Sequence, residues 1–190
     1  VVSMKLKTSE TAYLEYRYVL KPNKYMLDLS IKSVGLSSVL NTAAPAELTW
    51  QLKATRNEKS ITYENRYAEI VYEYEDGKDD YLNPAKTTTE DAKDLTYVAF
   101  KQHLFTSVLL TETPIKAAKL SQENLVDKED ENAAFLKDFT AVMPLEYKGG
   151  EINYNMNLYM GPTDYNILND YDKNLDEIVP LGWGIFGWLN

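Results

Sequence analysis

No cysteine occurs among the 190 residues, and histidine occurs once, at His103. The first absence excludes disulfides, thiolate metal sites and cysteine nucleophiles, but leaves the compartment open, because exported chains can also lack cysteine. The second excludes a histidine-rich zinc site and any mechanism that needs two imidazoles. Basic residues are also short: 20 Lys and Arg stand against 29 Asp and Glu, a formal charge of -9, and they are scattered along the chain. This argues against nucleic acid as a partner. Nor is there a run of the roughly 18 to 20 apolar residues that a membrane-spanning helix requires. What is present is enough apolar side chain, 44%, to fill one substantial core, and a single domain is the default.

Fifteen tyrosines and recurrent period-two alternation mark a chain of strands. Residues 12–20 and 25–32, joined by Lys21-Pro22-Asn23-Lys24, read as a hairpin. Its second strand sets Tyr25, Leu27, Leu29 and Ile31 on one face and Asp28, Ser30 and Lys32 on the other. Strands are further predicted at 48–52, 61–63, 68–75 and 139–147. Residues 95–110 read as two strands with a bend, on their aromatic and β-branched content. The cleanest alternation is at 152–160, with Ile152, Tyr154, Met156, Leu158 and Met160 facing a core and Asn153, Asn155 and Asn157 facing away. Residues 33–45, 76–80, 83–91, 119–132 and 148–151 read as connections.

Gly161-Pro162-Thr163-Asp164 then changes the period. Thr163 or Asp164 can cap a helix start, and Tyr165, Leu168, Tyr171, Leu175 and Ile178 follow at spacings of three and four. One helix is predicted over 164–178, roughly 22 Å long, stopped by Pro180 and Gly182. The expected architecture is mainly β: an antiparallel sandwich over 1–162, with a helix and linker over 163–190 packed on the same domain. The last ten residues hold Trp183, Ile185, Phe186, Trp188 and Leu189 among glycines. Five large apolar side chains cannot all find a core in so short a stretch, and tryptophan suits a bilayer interface, being apolar with one polar N–H. These five are the candidate membrane-interface residues, and the chain reads as an ectodomain cut where something more apolar begins.

Other motifs have plainer readings. His103 lies in a strand-like run with no partner motif, and reads as structural. Glu73, Glu75, Asp76, Asp79 and Asp80 lack the order of a calcium loop and read as a wet hairpin tip. The tyrosine-rich strands read as core packing ahead of a sugar-stacking platform.

Three stretches point further. Residues 97–109 (Tyr-Val-Ala-Phe-Lys-Gln-His-Leu-Phe-Thr-Ser-Val-Leu), 159–168 (Tyr-Met-Gly-Pro-Thr-Asp-Tyr-Asn-Ile-Leu) and 181–190 (Leu-Gly-Trp-Gly-Ile-Phe-Gly-Trp-Leu-Asn) resemble, in order and spacing, the large periplasmic domain of the YidC/Oxa family of membrane protein insertases. The resemblance covers the C-terminal two-thirds or so of that domain. It implies a β-supersandwich similar to galactose-mutarotase-like proteins, on the periplasmic face of the inner membrane, between the first two transmembrane helices. It also implies a non-catalytic role without cofactors, in a protein that inserts and folds inner-membrane proteins. That protein acts alone or with SecYEG, SecDF and YajC, on nascent membrane proteins. The membrane core that carries insertion is not in this sequence, and no SecF-binding residue transfers by motif. Strands preceding Val1 in the family would leave this piece with an exposed sheet edge that invites pairing between copies. The rival readings are an exported carbohydrate-binding or mutarotase-like sandwich, which wants a histidine acid and a carboxylate base, and a surface adhesion sandwich.

Overall fold

The structure is a computed structural model that describes residues 1–75, 77–126, 130 and 132–179. Its strands are β1 (Val2–Lys7), β2 (Tyr13–Leu20), β3 (Met26–Val34), β4 (Ala46–Thr55), β5 (Glu69–Tyr74), β6 (Lys78–Tyr81), β7 (Thr88–Ala92), β8 (Leu95–Lys101), β9 (Phe105–Ile115), β10 (Ala118–Asn124), β11 (Phe135–Leu145) and β12 (Asn153–Pro162). Helix α1 (Ile61–Arg66) joins β4 to β5. Helix α2 (Tyr165–Asn169) and a 3-10 turn (Leu175–Ile178) follow β12. An eight-stranded sheet, in the order β1-β2-β3-β12-β9-β8-β5-β6, faces a four-stranded sheet, β4-β11-β10-β7, and all pairings are antiparallel.

The predicted hairpin is β2–β3, with Tyr18 opposite Leu29 and Tyr16 opposite Ile31. Leu29, Ile31, Tyr154 and Met156 point into the space between the sheets, as the alternation requires, and meet Leu120, Phe139, Ala141 and Met143 of the small sheet. Trp50 stacks on Phe100 at 4.0 Å between ring centroids, and Phe100 on Phe139 at 5.4 Å. Each such side chain contributes about 1.5–3 kcal/mol by leaving water.

Four expectations are corrected. Residues 61–63, predicted as a strand, form the first turn of α1: the Ser60 hydroxyl accepts from the Tyr63 N–H at 3.3 Å, and the Glu64 carboxylate, fully buried, accepts the N–H groups of Asn57 and Glu58. Capping and a satisfied buried carboxylate override the β propensity of Ile-Thr-Tyr. Residues 78–80, 88–91 and 119–124, placed in connections, lie in β6, β7 and β10. In β10 the inward positions are Ala118, Leu120 and Gln122, and a buried glutamine masks the alternation. Its amide donates to the Asn83 and Lys86 carbonyls and its carbonyl accepts from the Ile70 N–H. Met160, expected on the core face of β12, belongs to neither core and is 49% exposed.

The fourth correction concerns the single helix over 164–178, which is broken. Asp172 and Asn174 adopt left-handed backbone at φ 52° and 54°, and 170–174 reads Asp-Tyr-Asp-Lys-Asn, whose short polar side chains compete with the helix for backbone hydrogen bonds. The β2–β3 turn, the β8–β9 turn, the end of β12 and the connection bearing α1 all lie at one end of the strands, the α1 end.

One buried cation ties this end together. Lys137, fully buried, donates to the carbonyls of Asn65, Ala68 and Pro84, using all three N–H bonds of its ammonium. Burial pushes its pKa down to about 8, against the pull of Glu69.

Candidate membrane-proximal segment

Residues 163–179 fold back onto the outer face of the large sheet, the face turned away from β4-β11-β10-β7. Thr163 starts the segment from a double attachment to the β8–β9 turn: its N–H donates to the Leu104 carbonyl at 2.9 Å and its hydroxyl to the Gln102 carbonyl at 3.1 Å. Asp164 is extended, and its carboxylate accepts the Ile167 N–H at 3.0 Å, capping α2. One turn later Leu168 is fully buried.

The left-handed residues turn the chain, and the Asn174 amide donates to Glu73 Oε2 at 2.9 Å. Glu73 is itself buried on β5, and its other oxygen accepts from the Thr96 hydroxyl. The 3-10 turn then buries Leu175 and Ile178. These three aliphatics, with Ile167, Tyr171 and Val179 at the margin, form a second core on Met26, Val71, Tyr97, Ala99, Val108, Leu110 and Tyr159.

Tyrosines brace the start of the segment. Tyr159 packs edge-on to Tyr25 and Tyr171, at 6.2 and 5.6 Å between centroids. Its hydroxyl donates to the Pro162 carbonyl at 2.7 Å, and the Tyr25 N–H donates to the Tyr171 hydroxyl at 3.1 Å. Gly161 sits in this nest: a Cβ there would lie 2.7 Å from the Tyr159 oxygen and 2.8 Å from Tyr25 Cγ. Under the far end, the Tyr97 hydroxyl donates to Asp79 at 2.8 Å. Burial raises the Asp79 carboxyl, the Tyr97 bond opposes this, and Glu73, Glu177 and Asp176 add repulsion. Among the described residues no three His, Cys, Asp or Glu side chains form a group that could hold a metal ion.

His103 has a structural setting. Its Nδ1 contacts the Glu58 carboxylate, and its ring lies 4.8 Å from Tyr67 and 5.1 Å from Tyr63, so it joins the β8–β9 turn to α1. Most of the tyrosine-rich strand surface is used in packing: Tyr72 and Tyr154 are buried between the sheets, and Tyr16 and Tyr18 pack on the same core.

A two-sheet antiparallel domain whose last described residues strap back across the larger sheet is the frame onto which the sequence comparisons fall. A family model described as YidC periplasmic domain matches residues 1–190, without remainder. The chain belongs to the YidC periplasmic domain family. The membrane protein insertase YidC of Parabacteroides distasonis is 30% identical over 201 residues, and that of Porphyromonas gingivalis 33% over 208; both alignments cover 100% of this chain and 31% of the relative. The YidC of Chlorobaculum tepidum is 23% identical over 208 residues, covering 100% of this chain and 34% of the relative. The chain thus spans about a third of the length of the curated relatives it matches. No helix among the described residues is long and apolar enough to cross a membrane.

Of the residues expected to pack the linker onto this YidC-family domain, Leu168, Leu175 and Ile178 are fully buried together, Tyr171 is partly buried beside them, and Tyr165 is half-buried. Trp183, Ile185, Phe186, Trp188 and Leu189 lie outside the described residues. Sequence reasoning gave Tyr25, Tyr159 and Gly161 no joint role, although a glycine at the end of a regular strand was an available sign of a close approach. Glu73, read there as part of a wet hairpin tip, is instead buried on β5 between Thr96 and Asn174.

Proposed function

We propose that this domain is the non-catalytic docking and positioning module of a membrane protein insertase, held at the periplasmic face of the inner membrane. The sandwich of 1–162 is the body, and 163–190 links it to the membrane-embedded part. Trp183, Ile185, Phe186, Trp188 and Leu189 meet the bilayer interface. Buried large apolar side chains are worth roughly 1.5–3 kcal/mol each, so the five supply several kcal/mol before ordering costs. The insertase works on nascent membrane proteins, alone or beside SecYEG with SecDF and YajC.

The observation that carries this reading is the attachment of residues 163–179 to the large sheet along their length. The Thr163 bonds, the Asp164 cap, the Asn174–Glu73 bond and three buried aliphatics fix the path of the chain as far as Val179. A domain needed only as a passenger would not require its exit to be rigid.

The test is client insertion by the full-length insertase, followed by protease protection of a newly made membrane protein. Leu168→Ala with Leu175→Ala, and separately deletion of 181–190, are expected to impair insertion more than His103→Ala does. Normal insertion by both variants would overturn the linker role.

A further inference from the structure

Large apolar side chains at the described surface are unevenly placed. Of fifteen that are exposed, four lie on or beside the edge strand β1 and two, Val34 and Val39, lie at the end opposite α1. The other nine sit at the α1 end. Five of these share the rim of the large sheet: Leu20, Tyr25, Leu104, Phe105 and Met160, between 47% and 57% exposed. Register makes them neighbours. The Met160 N–H donates to the Tyr25 carbonyl at 3.0 Å, Phe105 is opposite Pro162, and the Leu104 carbonyl accepts from Thr163. Leu20 is opposite Leu27, which is opposite Leu158.

Two further features bear on what covers the rim. Lys21 and Lys24 stand in the β2–β3 turn beside it, Lys24 with its ammonium 5.8 Å from the Tyr171 ring centroid and Lys21 paired with Asp28 at 3.1 Å. Aromatic and aliphatic side chains flanked by lysines make up the composition of a bilayer interface, where lysine stems lie along apolar surface and the charge stays in water. The last described residues of the segment also lie at this end: Ile178 borders a cavity of about 120 Å³ lined with Glu69 and Lys101, the first residue of β5 and the last of β8. Beyond it the sequence holds Trp183, Phe186 and Trp188.

We infer that the rim of Leu20, Tyr25, Leu104, Phe105 and Met160 is a second membrane-contact surface, seated at the headgroup boundary of a phospholipid bilayer. It rests on the reading of 163–190 as the membrane link, and adds that the sandwich itself touches the bilayer. Two linked contacts at one end bind a bilayer more tightly than either alone and fix the tilt of the sandwich.

The test is flotation of the 190-residue protein with vesicles of phosphatidylethanolamine containing a minority of phosphatidylglycerol. Three proteins are compared: the unaltered chain, a rim variant (Leu104→Ser, Phe105→Ser, Met160→Ser) and a tail variant (Trp183→Ser, Trp188→Ser). The rim residues are exposed, so the rim variant should melt with the unaltered chain, which thermal unfolding checks. The expected result is binding by the unaltered chain and roughly tenfold or greater weakening in the rim variant. A rim variant that binds normally while the tail variant does not overturns the rim contact and leaves the link standing. The opposite pattern keeps the rim and removes the tail. No vesicle binding by the unaltered, folded chain overturns the inference and returns the rim to contact with protein.

Discussion

Replacing Gly161 with alanine puts a methyl group where three atoms already stand. The new Cβ would lie 2.7 Å from the Tyr159 oxygen, 2.8 Å from Tyr159 Cζ and 2.8 Å from Tyr25 Cγ, against an optimum near 3.5–4.0 Å between carbon atoms. Tyr25 is 47% exposed and has room to swing, but Tyr159 is fully buried and bonded to Pro162. Overpacking of this kind costs about 1–3 kcal/mol, and loss of the Tyr159 bond adds about 0.5–1.5 kcal/mol. The stiffer unfolded chain returns about 0.4–1 kcal/mol. The net expectation is about 2–3 kcal/mol of destabilisation, read in urea as a lower midpoint with unchanged slope. Tyr159→Phe removes the oxygen nearest the methyl, so Gly161→Ala should cost about 1 kcal/mol less in that background, a coupling a double-mutant cycle resolves. A cost below about 0.5 kcal/mol, or no coupling to Tyr159, would refute the close-approach reasoning.

Other consequences are equally open to measurement. Asn174→Ala should cost the segment its bond to Glu73, raising amide exchange over 170–178 while global unfolding changes by about 1 kcal/mol or less; unchanged local exchange would remove that bond from the account. Leu175→Ala should destabilise by about 2–5 kcal/mol through a cavity in the second core. Lys137 carries a pH signature. Its folded pKa of about 8 lies below the ordinary lysine value, so between the two the unfolded chain holds more protons and stability rises with pH. Lys137→Met should abolish that rise, and leave three carbonyls unpaired. The buried Tyr72 and Tyr159 phenols are raised by burial. Stability present below the ordinary tyrosine pKa is therefore lost as pH climbs past it, and Tyr159→Phe should soften this alkaline loss.

Legibility in the sequence followed the simplicity of the local signal. β2, β3 and β12 were readable because Leu29, Ile31, Tyr154 and Met156 alternate with polar residues and each faces one core. β10 was hidden because Gln122 occupies an inward position, satisfied by partners the sequence does not bring near. α1 was hidden because Ile61-Thr62-Tyr63 favours a strand, whereas the deciding contact is the buried Glu64 with a loop that precedes it. The segment after Gly161 is the instructive case. Leu168, Tyr171, Leu175 and Ile178 were placed on one helix by their spacing, and the structure brings them to one core although the helix breaks at Asp172 and Asn174. Burial chose the contacts, and the Asp and Asn residues chose a different backbone path to them. The Tyr25–Tyr159–Gly161 nest joins a turn to the end of a distant strand, and no local pattern announces such a pairing.

The central claim is that the strapped segment sets how the sandwich stands on the membrane. Val39 is 64% exposed at the end away from α1, and this chain has no cysteine of its own to compete for a label. A donor on Val39→Cys in the full-length insertase, in nanodiscs with acceptor-labelled headgroups, measures the height of that end by energy transfer. The account predicts one narrow distribution of heights that broadens with Leu168→Ala and Leu175→Ala. An unaltered protein whose distribution is already as broad as the variant's would contradict it.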